Sequence, residues 1–307
     1  MTVHRNSIHS GLNSKKFNTD DLNQSESTTI LTKLISNNFS SGIYMVTVLG
    51  TPEKQISLGI DIGSDLTWTQ CLPCTPCFEQ REPIFDPSNS TSYVNISYES
   101  FTTGFLSKEK LTLTPTHMLV GFIFRCSYNN RLTWPKGEAG LLGLGRTNMS
   151  FLEQIAYKYG WFFSYCLPST SSSIDYLTLG RDETWFSSNI KFTSLSSISG
   201  NSSFYGLNMT GISFCGHALP ISATGFSYSG TIIDSGTILM WLPPTAYIAL
   251  LDAFREVMKR YPSAPLFERI DTSCDLSGYK KSVISENGDD LCAQYFLVLL
   301  GLCGKPE

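Results

Sequence analysis

Short runs of apolar or alternating residues, separated by Gly, Pro, Asn and Ser, recur along most of the chain. Runs of this length between turn-forming residues are typical of β-strands. The clearest are Tyr44 to Val48, Ile56 to Ile60, Leu111 to Thr114, Gly121 to Phe124, Tyr176 to Leu179, Phe204 to Met209 and Thr231 to Ile233. The pattern predicts a mainly β fold.

Two segments have the spacing of helices instead. Ser150 followed by Glu153 is a capping box, which predicts a short helix that Gly160 can end. A second helix is expected after Pro244, because apolar residues recur there at intervals of three and four up to Tyr261, just before Pro262. The apolar stripe of this helix predicts a packed core face.

Two widely separated stretches read almost alike. One contains Asp61, Gly63 and Ser64, and the other contains Asp234, Gly236 and Thr237. In each stretch an apolar run leads to the Asp, a Gly and a hydroxyl residue follow, and a Trp lies seven residues after the Asp. A single Asp-x-Gly is typical of a surface turn. Two copies in similar surroundings predict two similar halves that each donate one carboxyl group.

Further segments of the chain, before, between and after these two stretches, match the sequence patterns of a known protein family. They are residues 41–52, 83–88, 90–93, 204–207 and 242–244, together with Cys71-Leu72-Pro73-Cys74, Gly140-Leu141-Leu142-Gly143-Leu144-Gly145-Arg146 and Phe163-Ser164-Tyr165-Cys166-Leu167-Pro168. In their order along the chain these segments resemble the pepsin-like aspartic proteases, in particular the plant nepenthesin-like branch. The resemblance covers about residues 42 to 283.

The resemblance implies a bilobal fold. Residues 1–41 would be a polar, propeptide-like segment that is cleaved away, 42–185 an N-terminal lobe with the first Asp and the flap, and 186–307 a C-terminal lobe with the second Asp. The match fades after about Val283, so the second lobe is expected to be incomplete. Polypeptide substrates, proteinaceous or pepstatin-like inhibitors, and a secreted (apoplastic) or vacuolar location are also implied.

The expected chemistry needs both Asp61 and Asp234. Two carboxyl groups about 3 Å apart cannot both ionise at low cost, so the pair holds one proton and supplies one acid and one base. The base would activate a water molecule that attacks a peptide carbonyl, and the acid would protonate the oxygen and then the leaving amine. No metal or other cofactor is expected, and activity should be highest at acidic pH.

Supporting roles follow from the resemblance. Gly63 and Gly236 would shape the two catalytic loops, and Ser64 and Thr237 would brace the outer carboxylate oxygens.

Substrate contacts are implied in the same way. Trp68 would lie beside a flap that closes over substrate, and Tyr98 is the candidate for the tyrosine near its tip, although an ordinary strand tyrosine is an equal alternative. The first motif departs from the family because Ile62 stands where a Thr hydroxyl would reach the other lobe's backbone. We expect that loss to leave a buried partner unsatisfied, at a cost of about 1 to 3 kcal/mol.

Composition narrows the function classes. With 307 residues the chain can form two lobes, and 41% hydrophobic against 16% charged residues indicates an ordered globular protein. A net charge of -4 does not favour a nucleic-acid partner. The longest apolar run, Tyr295 to Leu302, is too short to cross a membrane. A monomer is expected.

Nine cysteines and several Asn-x-Ser/Thr sequences are typical of secretory proteins with disulfides and glycans. Cys71, Cys74 and Cys77 have spacing that also suits a metal site, but no His lies nearby, so disulfides are the preferred interpretation. Their pairing cannot be deduced from the sequence, and the odd total leaves one thiol over. The amino terminus lacks an apolar segment, so no signal peptide is predicted in this chain.

Two functions from different classes remain open. The first is an aspartic endopeptidase that cuts between bulky apolar residues, as the family resemblance implies. The second is a catalytically inactive relative that keeps the fold as a binding or inhibitor protein. Both Asp residues favour the first function, whereas Ile62 and the short carboxyl end favour the second.

Overall fold

A computed structural model describes residues 2–4, 30–36, 43–96, 104–131, 137–165, 174–180, 192–198, 201–222, 224–227, 230–237, 240–265 and 272–275. The strands are β1 (Thr2–His4), β2 (Ile30–Ser36), β3 (Ile43–Leu49), β4 (Lys54–Asp61), β5 (Trp68–Gln70), β6 (Val94–Asn95), β7 (Gly104–Thr114), β8 (His117–Ser127), β9 (Gly140–Gly143), β10 (Phe162–Tyr165), β11 (Ile174–Leu179), β12 (Ser196–Ile198), β13 (Asn201–Leu207), β14 (Ser213–Phe214), β15 (His217–Ala218) and β16 (Thr231–Ile233). The helices of these ranges are α1 (Phe151–Tyr159), α2 (Thr224–Ser227) and α3 (Pro244–Met258), and a 3-10 turn lies at Pro87–Asn89. The prediction of a mainly β fold with few short helices is confirmed.

The chain divides into two compact units, each described here by itself. The first comprises Met1–Tyr205 and Ile232–Gly236, and the second comprises Gly206–Thr231 and Thr237–Glu307. The predicted lobe boundaries at 41/42 and 185/186 stay predictions.

An eleven-stranded sheet organises the first unit, in the order β1-β10-β11-β2-β3-β4-β9-β5-β8-β7-β6. β4 is interior to it, antiparallel to β3 and parallel to β9. The last six residues of β4 are buried, which fits a strand with neighbours on both sides. β9 is inserted between β4 and β5, so the segment that leaves β4 is held against it. This arrangement fixes the end of β4, where Asp61 lies.

Strand β2 comes from the segment that the sequence marks as a removable propeptide. It is an interior strand, antiparallel to β11 on one side and to β3 on the other. Leu34, near its end, is fully buried in the main core cluster. β1, by contrast, lies at the edge of the sheet as far as its strands are described, and it pairs with β10 over three residues. Strand β2 is therefore an interior strand of the first unit's sheet, with Leu34 in the core.

Helix α1 has the ends that the sequence predicts. The Ser150 hydroxyl accepts a hydrogen bond from the backbone N–H of Glu153, and Gly160 follows the last turn with φ of 67°. A positive φ at this position is the usual reason for glycine after a helix. The N-cap and the closing glycine are confirmed, but the reciprocal half of the capping box is replaced: the Glu153 carboxylate accepts the Trp161 Nε1–H at 2.9 Å, and the Ser150 N–H donates to the Thr147 carbonyl.

The second unit has a smaller core built on α3. Leu250, Phe254 and Met258 lie on one face of this helix and pack with Phe214 and Tyr261. The predicted helix therefore exists, and its apolar stripe is a core face as expected. Among the helices of the described ranges, none has both the length and the apolar character that crossing a bilayer requires.

Among the described residues of the first unit, four cysteines form two disulfides. Cys71 at the end of β5 is bonded to Cys126 on β8, and Cys74 is bonded to Cys77 in the following loop. The three closely spaced cysteines are thus engaged in disulfides, which confirms that interpretation over a metal site.

Candidate active site

The first carboxyl group lies where β4 leaves the sheet. Asp61 is 8% exposed, and its backbone carbonyl accepts a hydrogen bond from Leu144 N–H at 2.8 Å, directly after β9. Its Oδ1 atom accepts the Gly63 N–H at 2.8 Å, and its Oδ2 atom accepts a short hydrogen bond from the Ser64 hydroxyl. Both carboxylate oxygens are therefore oriented by hydrogen bonds from the turn that follows them.

The second carboxyl group is presented in the same way. β16 leads to Asp234, whose Oδ1 accepts the Gly236 N–H at 2.8 Å. This bond repeats the one between Asp61 and Gly63, so the two Asp-x-Gly turns share the hydrogen bond from the glycine N–H to the Asp Oδ1. Asp234 is only partly buried, whereas Asp61 is buried.

Each glycine makes room for the carboxyl group of the other turn. A Cβ atom on Gly63 would lie 2.6 Å from Asp234 Oδ1, and a Cβ on Gly236 would lie 2.7 Å from Asp61 Oδ1. Real Cβ atoms do not approach oxygen that closely, so any larger residue would force the turns apart. The structure thus brings Asp61 and Asp234 together, as the repeated motif predicts.

Burial has the largest effect on the pKa of Asp61, and the proximity of Asp234 adds to it. Burial raises the pKa of the Asp61 carboxyl above its ordinary value, because the charged form loses hydration. Hydrogen bonds from Ser64 and Gly63 act in the opposite direction, while the charge of Asp234 and a hydrogen bond with it raise the pKa further. The net effect favours a protonated Asp61, so the pair tends to retain one proton.

Ser235 bridges the two turns. Its hydroxyl donates to the Ile60 carbonyl at 3.0 Å and accepts the Ile62 N–H at 3.2 Å. The Ile62 side chain is fully buried in the apolar core cluster. The hydroxyl link is therefore supplied by Ser235 of the second turn, while the equivalent position of the first turn contributes apolar packing.

Removing this bridge should weaken the first unit. We expect Ser235→Ala to lower the free energy of unfolding by about 2 kcal/mol, because the buried Ile60 and Ile62 backbone groups lose their shared partner. Urea unfolding followed by tryptophan fluorescence measures the change. Ser235→Thr, which keeps the hydroxyl, is the matched control, and equal stability of the Ala and Thr variants would contradict the assigned role.

The remaining predicted site residues have different positions. Trp68 is buried in β5 and meets Phe78 edge-on, with ring centroids 6.2 Å apart. Thr237 is exposed and belongs to the second unit. Tyr98 falls outside the described residues. The flap, substrate-contact and Thr237 roles therefore stay predictions.

The tryptophans that follow the two Asp-x-Gly motifs differ in exposure. Trp241 is 74% exposed, whereas Trp68 is 9% exposed. Trp68 is enclosed because β5 lies between β9 and β8. The matching spacing from Asp to Trp therefore does not place the two rings in matching environments.

Sequence reasoning missed Ser235 as a contributor to the site. The sequence does single out Ser235, because it occupies the variable position of the second Asp-x-Gly motif, the position that Ile62 occupies in the first motif. Tyr165 was also missed: it is buried on β10, and burial together with the charge of Asp234 raises its pKa. No feature of the sequence distinguishes Tyr165 from the other aromatic strand residues.

Comparison with protein families identifies two matching domains. Residues 44–101 and 94–181 match the family described as xylanase inhibitor N-terminal, and residues 204–282 match the one described as xylanase inhibitor C-terminal. Together these matches cover more than half of the chain and include both Asp-x-Gly turns.

Individual relatives agree with the domain matches. An aspartyl protease family protein of Arabidopsis thaliana is 45% identical over 91% of this chain and 65% of its own length. The aspartic proteinase nepenthesin-2 of Nepenthes gracilis is 33% identical over 70% of this chain and 56% of its own length. The chain thus spans less than two thirds of the length of these relatives.

Solved structures show the same fold. Basic 7S globulin from soybean superposes with a TM-score of 0.62 at 16% identity, covering 80% of this chain and 74% of that chain. On the family matches and the relatives together, this chain belongs to the plant pepsin-like aspartic proteases.

Proposed function

We propose that this chain is an aspartic endopeptidase whose catalytic pair is Asp61 and Asp234. The observation on which the proposal rests is the reciprocal approach of the two turns, in which each glycine accommodates the opposite carboxyl group. Such a pair contains an acid and a base within reach of one water molecule. We place Gly63, Gly236 and Ser64 in supporting roles, since they orient or admit the carboxyl oxygens.

The reaction follows from a pair that shares one proton. The ionised carboxylate takes a proton from the bound water, whose oxygen forms a bond to the carbonyl carbon of the peptide. The protonated carboxyl gives its proton to the carbonyl oxygen, which yields a tetrahedral diol. Collapse of the diol transfers a proton to the amide nitrogen and breaks the C–N bond, giving a carboxylic acid and an amine.

The pH range follows from the state of Asp61. The pair is competent while it retains one proton, and burial of Asp61 favours that state by raising its pKa. Activity should therefore fall as the pH rises through the pKa of Asp61 and the shared proton is lost. We propose an acidic optimum, polypeptide substrates cut between bulky apolar residues, and inhibition by pepstatin-like or proteinaceous ligands of a monomeric enzyme.

An acid-cleavage assay tests the proposal. Purified protein is incubated with an unfolded protein substrate between pH 2 and 7, with and without pepstatin. The expected result is cleavage confined to acidic pH and abolished both by pepstatin and by Asp61→Ala. Cleavage that persists in the presence of pepstatin and in the Asp61→Ala variant would refute the paired-carboxyl mechanism.

The second candidate function is a catalytically inactive binding or inhibitor protein. Ile62 favours it, because this position of the first turn offers no hydroxyl to the second turn, and the link between the turns uses the Ser235 hydroxyl instead. The same assay separates the two functions: folded protein that binds pepstatin or a protein partner but cleaves nothing at any pH would support the inactive relative.

We also propose a secretory route, ending in the apoplast or the vacuole. Two disulfides in the first unit support it, because such bonds form and persist in oxidising compartments. Exposed Asn148 and Asn208, each in an Asn-x-Ser/Thr sequence, provide candidate glycan sites.

A further inference from the structure

Asp65 lies four residues after Asp61, at the end of the first turn, and both of its carboxylate oxygens accept hydrogen bonds. Its Oδ1 atom accepts the Thr147 N–H at 2.9 Å, and its Oδ2 atom accepts a short hydrogen bond from the Ser203 hydroxyl. Gly145 packs directly on this carboxylate, where a Cβ atom would collide with it. The carboxylate therefore joins the first turn to two distant segments of the chain.

One of these segments is the stretch that follows β9. Gly145 N–H donates to the Ser64 carbonyl at 2.8 Å, next to the Asp65 bond with Thr147. Ser64 is the residue whose hydroxyl orients Asp61. Asp65 thus holds the backbone on which the orientation of Asp61 depends.

The other segment leads to the second carboxyl group. Ser203 lies on β13, and β13 is hydrogen-bonded to β16, the strand that presents Asp234. Arg146 reinforces the same link, since its N–H donates to the Ser203 carbonyl and its guanidinium donates to the Phe204 carbonyl, both at 3.1 Å. The Tyr205 hydroxyl adds a bond to the Leu144 carbonyl at 2.7 Å. β13 is therefore bonded to the first turn through Ser203 and Asp65, and it is also paired with β16, the strand that leads to the second turn.

We propose that Asp65 is a positioning residue that holds both carboxyl-bearing turns in register, acting on Asp61 through its own turn and on Asp234 through Ser203 and β13. This inference deepens the proposed function and rests on it. Asp65 touches neither carboxyl group, so its influence is geometric. It sets how closely the two carboxyl groups approach one another.

The test uses a readout that does not require activity. Carboxyl-carbon NMR titration of Asp61 is recorded for the full chain and for Asp65→Ala, Asp65→Asn and Ser203→Ala. Loosening the pair should move the Asp61 titration midpoint measurably toward lower pH in the Asp65→Ala and Ser203→Ala variants. Asp65→Asn keeps one acceptor for the Thr147 N–H and should recover part of the shift.

Kinetics on a peptide at acidic pH provide the second readout. Asp65→Ala should lower kcat by roughly tenfold to 100-fold with little change in KM, because a small misplacement of reacting groups has that effect. The effect of Asp65→Ala should be smaller when Ser203 is already Ala, since both residues act through one hydrogen bond.

Asp86→Ala is the matched control. Asp86 also accepts several hydrogen bonds, from Ser88 and Asn89 at the Pro87–Asn89 turn, but it is not part of this network. It should leave both the Asp61 titration and kcat unchanged. An Asp65→Ala protein that is folded and titrates like the unmodified chain overturns the positioning role. If the titration shifts while the unmodified chain cleaves nothing, the proposed protease function fails and the positioning role stands.

Discussion

Replacing Asp234 with Asn is expected to reduce peptide cleavage at acidic pH by at least about 10³-fold, because the amide can neither take a proton from water nor return one to the leaving amine. Initial cleavage rates across pH 2 to 7 measure the loss. Asp252→Asn, an exposed carboxyl on α3, is the control and should retain full activity. Residual cleavage above about one tenth of the original rate would exclude Asp234 from the chemistry.

The companion variant Asp61→Asn should be equally inactive yet more stable at neutral pH. Folding raises the pKa of Asp61 above its ordinary value of 3.8. At a pH between 3.8 and the raised pKa of the folded chain, the folded state therefore binds more protons than the unfolded state. Stability of the unmodified chain therefore declines as the pH rises through that window. Asn cannot ionise, so its advantage in melting temperature should be present at pH 7 and vanish below about pH 3.8. An unchanged melting temperature at pH 7 would contradict the raised pKa.

Deleting residues 1–41 is expected to unfold the first unit or to lower its free energy of unfolding by more than about 5 kcal/mol. The deletion removes interior strand β2, with net hydrogen bonds worth about 1 kcal/mol each along both edges, and the buried Leu34. A loss of that size approaches the whole stability of a typical domain. Circular dichroism and urea unfolding measure it.

A chain that begins at Ile30 is the matched control for this deletion. It lacks only the edge strand β1 among the described elements, so it should remain folded and lose little stability. This result would mean that any removable leader ends before Ile30, instead of at residue 41. Equal stability of the two truncated chains would show that β2 contributes nothing to the core.

Much of the first unit could be predicted because the local pattern of apolar and polar residues indicates most of its strands. The run from Ile56 to Ile60 has large apolar side chains at alternate positions and ends next to the Asp, and it forms most of β4. β2 was missed because its segment is surrounded by polar residues, and its burial depends on β11, whose residues lie about 140 positions further along the chain. Composition cannot reveal a partner at that separation.

In the candidate site, too, features built from adjacent residues could be predicted, whereas features that depend on distant residues could not. The repeated Asp-x-Gly motif predicts the two carboxyl groups, since each turn is built from adjacent residues. The bridging role of Ser235 could not be predicted, because it depends on which backbone groups of the first turn face its hydroxyl. Asp65 was overlooked for the same reason, as its partners Thr147 and Ser203 come from elsewhere in the chain.

The mutual fit of Gly63 and Gly236 with the opposite carboxyl groups has a consequence for how this protein can evolve. Even one added methyl group at either glycine would displace an oxygen supplied by a remote stretch of sequence, so neither half can drift independently at these positions. Compensation would require simultaneous changes in both halves, which single substitutions cannot provide. The two glycines should therefore be inherited as a unit for as long as the carboxyl pair is retained, and be released from constraint together once it is lost.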